Sequence, residues 1–177
     1  MNICILQKEN QHKIYDKAYD LLVAADNEFV PPLSSRNSST QRDFSNAVQG
    51  DSITQYFEQL KNQRFAAVFE EGALIAFVSF KENYTCSEIS PDELPNIYLS
   101  TLVVSPKARG KGVATALYQK LFTEYEQVNI FTRTWSTNFA HIKILSKYGF
   151  EVIKVLNDDR GVGIDTIYFK KAKKIQE

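Results

Sequence analysis

The segment from Leu99 to Tyr118, Leu99-Ser-Thr-Leu-Val-Val-Ser-Pro-Lys-Ala-Arg-Gly-Lys-Gly-Val-Ala-Thr-Ala-Leu-Tyr118, carries the strongest chemical signal in the chain. An apolar, β-branched run stops at Pro106. A turn with Arg109, Gly110, Lys111 and Gly112 follows, and then a helical pattern opens. The first turn of a helix leaves backbone N–H groups without partners, and the macrodipole makes that end electropositive. Glycines let a ligand approach the backbone closely. A strand, such a turn and a helix N-terminus together hold a pyrophosphate, and Arg109 and Lys111 add charge. The turn lacks both G-x-x-x-x-G-K-S/T and G-x-G-x-x-G, so neither a Walker nor a dinucleotide fingerprint is present. A solvated basic turn is the alternative these residues leave open.

The turn reads Arg109-x-x-Gly112-x-Ala114. It resembles the R/Q-x-x-G-x-G/A signature of the GNAT superfamily of N-acetyltransferases, which bind acetyl-CoA. A second segment, Asn138-Phe-Ala-His-Ile-Lys-Ile-Leu-Ser-Lys-Tyr-Gly-Phe150, is similar to that family's N-x-x-A-x-x-x-Y-x-x-x-G-F, with Asn138, Gly149 and Phe150 matching in type and spacing. The two motifs cover roughly residues 96 to 155 in the family's order.

The resemblance implies an α/β (α+β) acyl-CoA N-acyltransferase fold: a mixed, mostly antiparallel sheet of about seven strands with a splayed central pair, flanked by about four helices. It also implies direct transfer of an acetyl group from acetyl-CoA to a primary amine of a small molecule or peptide. Backbone groups of Leu102, Val103 and Val104 would pair with the pantetheine arm, and the Leu102 N–H would face the thioester carbonyl as a one-donor oxyanion site. Arg109, Gly110, Lys111, Gly112, Val113, Ala114 and Thr115 would hold the pyrophosphate. Asn138 would contact the arm, or else cap its helix, as Ser136 and Thr137 equally could.

The match fails at the proton-handling groups. Leu145 stands where the family often has a tyrosine acid. Tyr148, three residues on, is either its substitute or a packed aromatic. A thiol pKa of ~8.5 lets the thiolate leave with water alone. The family's strand carboxylate would fall near Tyr98, with Ser100 on the same face by simple alternation. Tyr98 is therefore the remaining catalytic candidate on that strand. Glu82, Glu88, Asp92 and Glu93 enter that strand on a loop and could act through water. His141 replaces the family's alanine, either pointing at the arm or lying on the surface. These gaps keep a second class open, a non-catalytic acyl-CoA-binding sensor or interaction module.

Several elements must position these groups. Ile3 to Gln7 reads as a strand and His12 to Ala25 as a helix. Asn27 to Gly50, with Pro31-Pro32 and a Ser/Asn/Thr run, reads as a long loop, either a binding loop or a surface excursion. Asp51 to Asn62 reads as a helix capped by Asp51 or Ser52. Arg64 to Phe69 and Ala73 to Phe80 form a hairpin. Asn96 to Ser105 and Gln127 to Thr134 are strands, and Gly112 to Tyr125 and Asn138 to Tyr148 are helices, the latter ended by Gly149. Phe150 to Leu156 and Ile164 to Lys170 close the sheet, and the charged tail from Lys171 frays. The acceptor would meet Phe29 to Gln41, Trp135 and the turn from Asn157 to Gly163. There Asp158, Asp159 and Asp165 either attract a cationic amine or simply form turns.

Composition narrows the classes. At 177 residues and 44% hydrophobic content the chain suits one domain, 1–177, with a sizeable core. Zero formal net charge argues against a nucleic-acid surface. Two cysteines and two histidines show no metal-ligand spacing. No signal segment opens the sequence and no apolar run reaches membrane-spanning length, so a cytoplasmic location without membrane attachment is expected. A homodimer is common in the resembled superfamily.

Overall fold

A computed structural model describes residues 1–44 and 52–174. Strand β1 (Asn2–Ile5) is followed by helices α1 (Tyr15–Ala25) and α2 (Ser52–Leu60). Strands β2 (Arg64–Glu70), β3 (Ala73–Glu82) and β4 (Asn96–Val104) come next. Then follow α3 (Val113–Glu124), β5 (Asn129–Trp135), α4 (Phe139–Lys147), β6 (Glu151–Leu156) and β7 (Thr166–Lys171). The seven strands form one sheet in the order β1-β2-β3-β4-β5-β7-β6. All neighbours are antiparallel except β4 and β5.

Both faces of the central strands are covered, which is why their sequences are near-continuous apolar runs rather than alternating ones. On one face Ala66, Val68, Val78 and Leu99 pack against Leu117, Leu121 and Phe122 of α3 and Leu145 of α4. On the other, Phe65, Ala67, Phe77 and Val103 pack against Ala18 and Leu22 of α1 and Tyr56, Phe57 and Leu60 of α2. Burial of each such large side chain contributes about 1.5–3 kcal/mol.

Two irregularities in β4 create the cleft at the centre of the sheet. The β3–β4 register shifts between Ser79 and Phe80, leaving Ser100 as an extra residue opposite that step. The bulge inverts side-chain parity. Ile97 and Leu99 face α3, and beyond Ser100 it is Leu102 and Val104 that join that cluster, while Val103 turns to α1 and α2. The simple alternation expected along this strand therefore does not hold. The second irregularity is a parting of strands. β4 and β5 pair from Asn96↔Asn129 to Leu99↔Thr132 and then separate. At the parting point the Thr132 hydroxyl donates to the Leu99 carbonyl (2.9 Å).

Other expectations shift at their ends. The helix expected from His12 begins as a 3-10 turn over Lys8–Ile14 and becomes α-helical at Tyr15. The loop after Asp26 contains two 3-10 turns, Asp26–Glu28 and Leu33–Ser35. The cap of α2 lies outside the described residues. The tail, expected to fray from Lys171, is held through Lys174, whose N–H donates to the Glu126 carbonyl (2.8 Å). Among the described residues no helix is long and apolar enough to cross a membrane.

Candidate active site

The parting of β4 from β5 opens a cleft of about 530 Å³, walled by α3, α4 and the loop after α1. Its β4 wall presents main-chain groups. Ser105 N–H bonds to the Ile75 carbonyl (2.8 Å). The antiparallel ladder alternates, so Val103 and Thr101 turn their main-chain groups toward β3. Leu102 and Val104 turn theirs away, into the space that β5 has vacated. The Val104 carbonyl accepts from Arg109 Nε (3.1 Å), as that orientation requires. The Leu102 main chain and the Val104 N–H are thus free to pair with an extended ligand, while the Val104 carbonyl is already held by Arg109. Val103 lines the cleft, but its main chain belongs to the β3 ladder, which corrects the expectation that all three would serve.

At the end of β4 the chain turns into α3. Gly110 and Gly112 adopt φ +71° and +76°, a region that disfavours side chains, so glycine is required here. Gly112 is the N-cap and has no side chain to satisfy the helix end. The first intrahelical bond is Ala116 N–H to the Gly112 carbonyl (2.9 Å). The amides of Val113, Ala114 and Thr115 therefore precede the ladder, and these residues line the cleft with Arg109, Gly110 and Gly112. Lys111 does not line it. Arg109 is committed elsewhere: its guanidinium pairs with Glu28 (2.8 Å) as well as with Val104. The cradle is a backbone structure.

Asn138 is both a cap and a wall. Its Oδ1 accepts from His141 N–H (3.4 Å), its Nδ2 donates to Thr134 Oγ1 (3.0 Å), and it lines the cleft. One turn on, His141 Nε2 lies 2.8 Å from the Tyr118 hydroxyl, and both residues line the cleft. Burial pushes His141 down to about 4, so the ring is neutral at pH 7, and burial holds the Tyr118 hydroxyl above the ordinary phenol range. Tyr118 was legible only as part of the apolar face of α3.

The His141 shift makes a stability prediction. Between about pH 6.5 and 4 the unfolded chain binds a proton that the folded chain refuses, so stability rises with pH across that window and is lost on acidification. The loss approaches about 3 kcal/mol at its largest. Urea unfolding as a function of pH should show it, and His141→Gln should flatten that portion of the curve.

The other proton-transfer candidates lie outside the cleft. Tyr98 is 1% exposed and packs with Ile89, Phe131 and Tyr84, its ring 4.7 Å from that of Tyr84. Burial raises its hydroxyl further from the range useful for a base. Tyr148 caps α4 and stacks edge-on against Phe122 (5.1 Å), so it is a packed aromatic. Ser100 does line the cleft, held by Ser79 Oγ (2.8 Å). The loop carboxylates are engaged: Glu82 with Arg64, Glu88 with Arg42, and Glu93 with Lys170, while Asp92 accepts from the Ser90 hydroxyl. Among the described residues Glu28 is the one carboxylate in the lining.

The three turn aspartates also lie outside the lining. Asp158 accepts from Gly163 N–H (2.5 Å), Asp159 from the Thr166 hydroxyl (2.5 Å) and Asp165 from Asp158 N–H (2.9 Å), so they form the turn. That turn instead delivers Arg160 to the cleft, beside Arg36, Arg133, Phe29 and Trp135. One signal for this was present: an arginine inside the apolar strand NIFTRTW is costly unless it is paired or used. Among the described residues no three His, Cys, Asp or Glu side chains come together as metal ligands.

A V between parallel central strands, with an uncapped helix N-terminus at its mouth, is the arrangement that the resemblance in sequence implied. The sequence matches the acetyltransferase (GNAT) family over residues 33–150. The chain belongs to that family and is an acyltransferase. Its fold is similar to aminoglycoside 6'-acetyltransferase type Ii (TM-score 0.69, 19% identity, 100% of both chains). It is similar also to an aminoglycoside 6'-N-acetyltransferase complexed with coenzyme A (0.68, 17%, 100% of this chain and 99% of the other). A third likeness is to the ribosomal-protein-S18-alanine N-acetyltransferase from Escherichia coli (0.63, 16%, 99% and 96%). Comparison with curated proteins gives no match for this sequence.

Proposed function

We propose that the protein transfers an acetyl group from acetyl-CoA directly to a primary amine of a small molecule or peptide. The observation that carries this is the continuity of two backbone surfaces in one cleft, the Leu102 groups and the Val104 N–H on β4 and the amides of Val113 to Thr115 at the start of α3. The first suits the amide-bearing pantetheine arm as an added strand, and the second suits a pyrophosphate. Acetyl-CoA would supply an activated acetyl thioester. Leu102 N–H then donates to the carbonyl oxygen as charge develops on it. Arg109, paired with Glu28 and bonded to the Val104 carbonyl, braces the turn that presents the α3 amides, and Asn138 positions the arm.

The Tyr118 hydroxyl, protonated and held against neutral His141, is placed to give a proton to the departing thiolate. Tyr118→Phe should lower kcat about tenfold and leave coenzyme affinity within twofold. The effect is modest because a thiol with pKa ~8.5 leaves without much help. With the lining carboxylate Glu28 tied to Arg109, we assign amine deprotonation to water.

An acetyl-CoA-dependent thiol-release screen against amino acids, polyamines, aminoglycosides and peptides tests the reading. Turnover with an amine is expected, and calorimetry showing no heat with CoA would overturn it. A cytoplasmic location and a homodimer belong to the same reading. One apolar surface open to a second copy is the outer strand β6, where Val152 is 55% and Val155 42% exposed.

A further inference from the structure

Three guanidiniums converge on the cleft from separate segments: Arg36 from the loop after α1, Arg133 from β5 and Arg160 from the β6–β7 turn. They are 5%, 9% and 7% exposed, and their carbons lie 5.4, 5.5 and 4.8 Å from the centre of one ring, Phe44. Arg133 shares by alternation the side of β5 that carries Phe131, which packs with Ile89 and Tyr98 rather than with α3 and α4, so this cluster sits across the sheet from Tyr118 and His141, on the side from which an acceptor would approach a thioester held in the V.

Two of the three, Arg133 and Arg160, are under-compensated. Arg160 donates to Thr166 Oγ1 (2.9 Å) and the Val30 carbonyl (2.8 Å). Arg133 donates to the Tyr168 hydroxyl (3.1 Å) and to the carbonyls of Ser39 (3.3 Å) and Gln41. Every one of these acceptors is neutral. Among the described residues neither arginine has a carboxylate within 4.0 Å. The nearby carboxylate, Asp159, takes the Thr166 hydroxyl, and Asp26 accepts from Ser34 N–H (2.7 Å). Burial first, and then the neighbouring guanidiniums, push Arg160 down to about 9, still charged at pH 7.

Tethering two loops requires only neutral donors, which a glutamine supplies without the desolvation cost of a buried cation. A buried guanidinium keeps its charge to advantage when an anion arrives, and its fork matches carboxylate and phosphonate oxygens. We infer that this cluster binds an anionic group on the acceptor, so that the preferred substrate is an amine bearing a carboxylate or phosphonate rather than a polycation. This rests on the acetyltransferase reading for the identity of the amine as acceptor. The like charge that repels a polyamine or aminoglycoside is the other half of the selectivity.

The test uses matched pairs. Amino acids are set against their C-terminal amides, and 2-aminoethylphosphonate against ethanolamine, with spermidine and kanamycin as polycations. Thiol release is measured in saturating acetyl-CoA, and binding is measured by calorimetry with and without CoA. The anionic member of at least one pair should show kcat/KM at least tenfold above its neutral partner. The carboxylate and phosphonate arms identify which anion fits. Arg160→Gln and Arg133→Gln should each reduce that preference tenfold or more with CoA affinity within twofold, and Arg160→Lys should retain part of it. The inference is overturned if neutral or polycationic members are equal or better, or if no anionic member binds. Because anion binding is also read without coenzyme, loss of CoA binding would strike the acetyltransferase reading alone. If a glutamine variant does not fold, the wild-type pairs and Arg160→Lys still decide.

Discussion

Gly112→Val should weaken coenzyme A binding about 100-fold while Lys111→Ala weakens it no more than about threefold, the difference between losing about two charge-assisted hydrogen bonds and one exposed charge. Gly112 stands at φ +76° as the N-cap of α3. A β-branched residue escapes that strain by returning to negative φ, which rotates the adjoining peptide planes. The Val113 and Ala114 amides then no longer converge on one anion. A Cβ added at Gly112 meets no atom within 4 Å, so the substitution is not expelled by packing, and the loss should fall on the ligand rather than on the fold. Lys111 lies outside the cleft lining and contributes only through solvent. Calorimetry with CoA, alongside thermal unfolding of both variants, reads the contrast. The reverse order of effects would mean that side-chain charge, not backbone, holds the diphosphate.

The parts of this site that were legible in sequence are those made by consecutive residues. Pro106, the two glycines and the apolar face beginning at Val113 specify a strand, a turn and a helix start within a dozen positions, and the structure has each of them there. The bulge at Ser100 was hidden because residues 97–99 and 102–104 are apolar on both parities, and the polar pair Ser100-Thr101 between them occupies one position of each parity, so the side-chain pattern does not say where the faces exchange. Tyr98 was misplaced for the same reason. Tyr118 was half legible: helical spacing buries its ring, but only the packing of α4 against α3 brings its hydroxyl to His141. The arginine cluster joins residues 36, 133 and 160, whose proximity depends on the order in which β7 inserts between β5 and β6. No local pattern encodes that insertion, and the aspartates around Arg160 specify only the turn that carries it.

Leu102→Pro should reduce kcat about 10²- to 10³-fold, the loss associated with one oxyanion donor, with CoA affinity changed by about tenfold or less, since the proposed coenzyme contacts are mostly the amides at the start of α3. Proline removes one N–H and fills its place with ring carbon. At Leu102 that N–H points away from β3, so no ladder bond is lost, and the extended Thr101 before it is compatible with proline. Val103→Pro is the control. Its N–H faces Phe77 in the β3 ladder, so the same chemical change one residue along should lower stability instead and leave the reaction centre's donor intact in whatever fraction folds. Single-turnover acetyl transfer and urea unfolding on both variants separate the two effects. The two results together test the parity that the Ser100 bulge imposes. If Leu102→Pro keeps its turnover, the backbone of β4 does not stabilise the reacting carbonyl, and the opened strand serves only to bind.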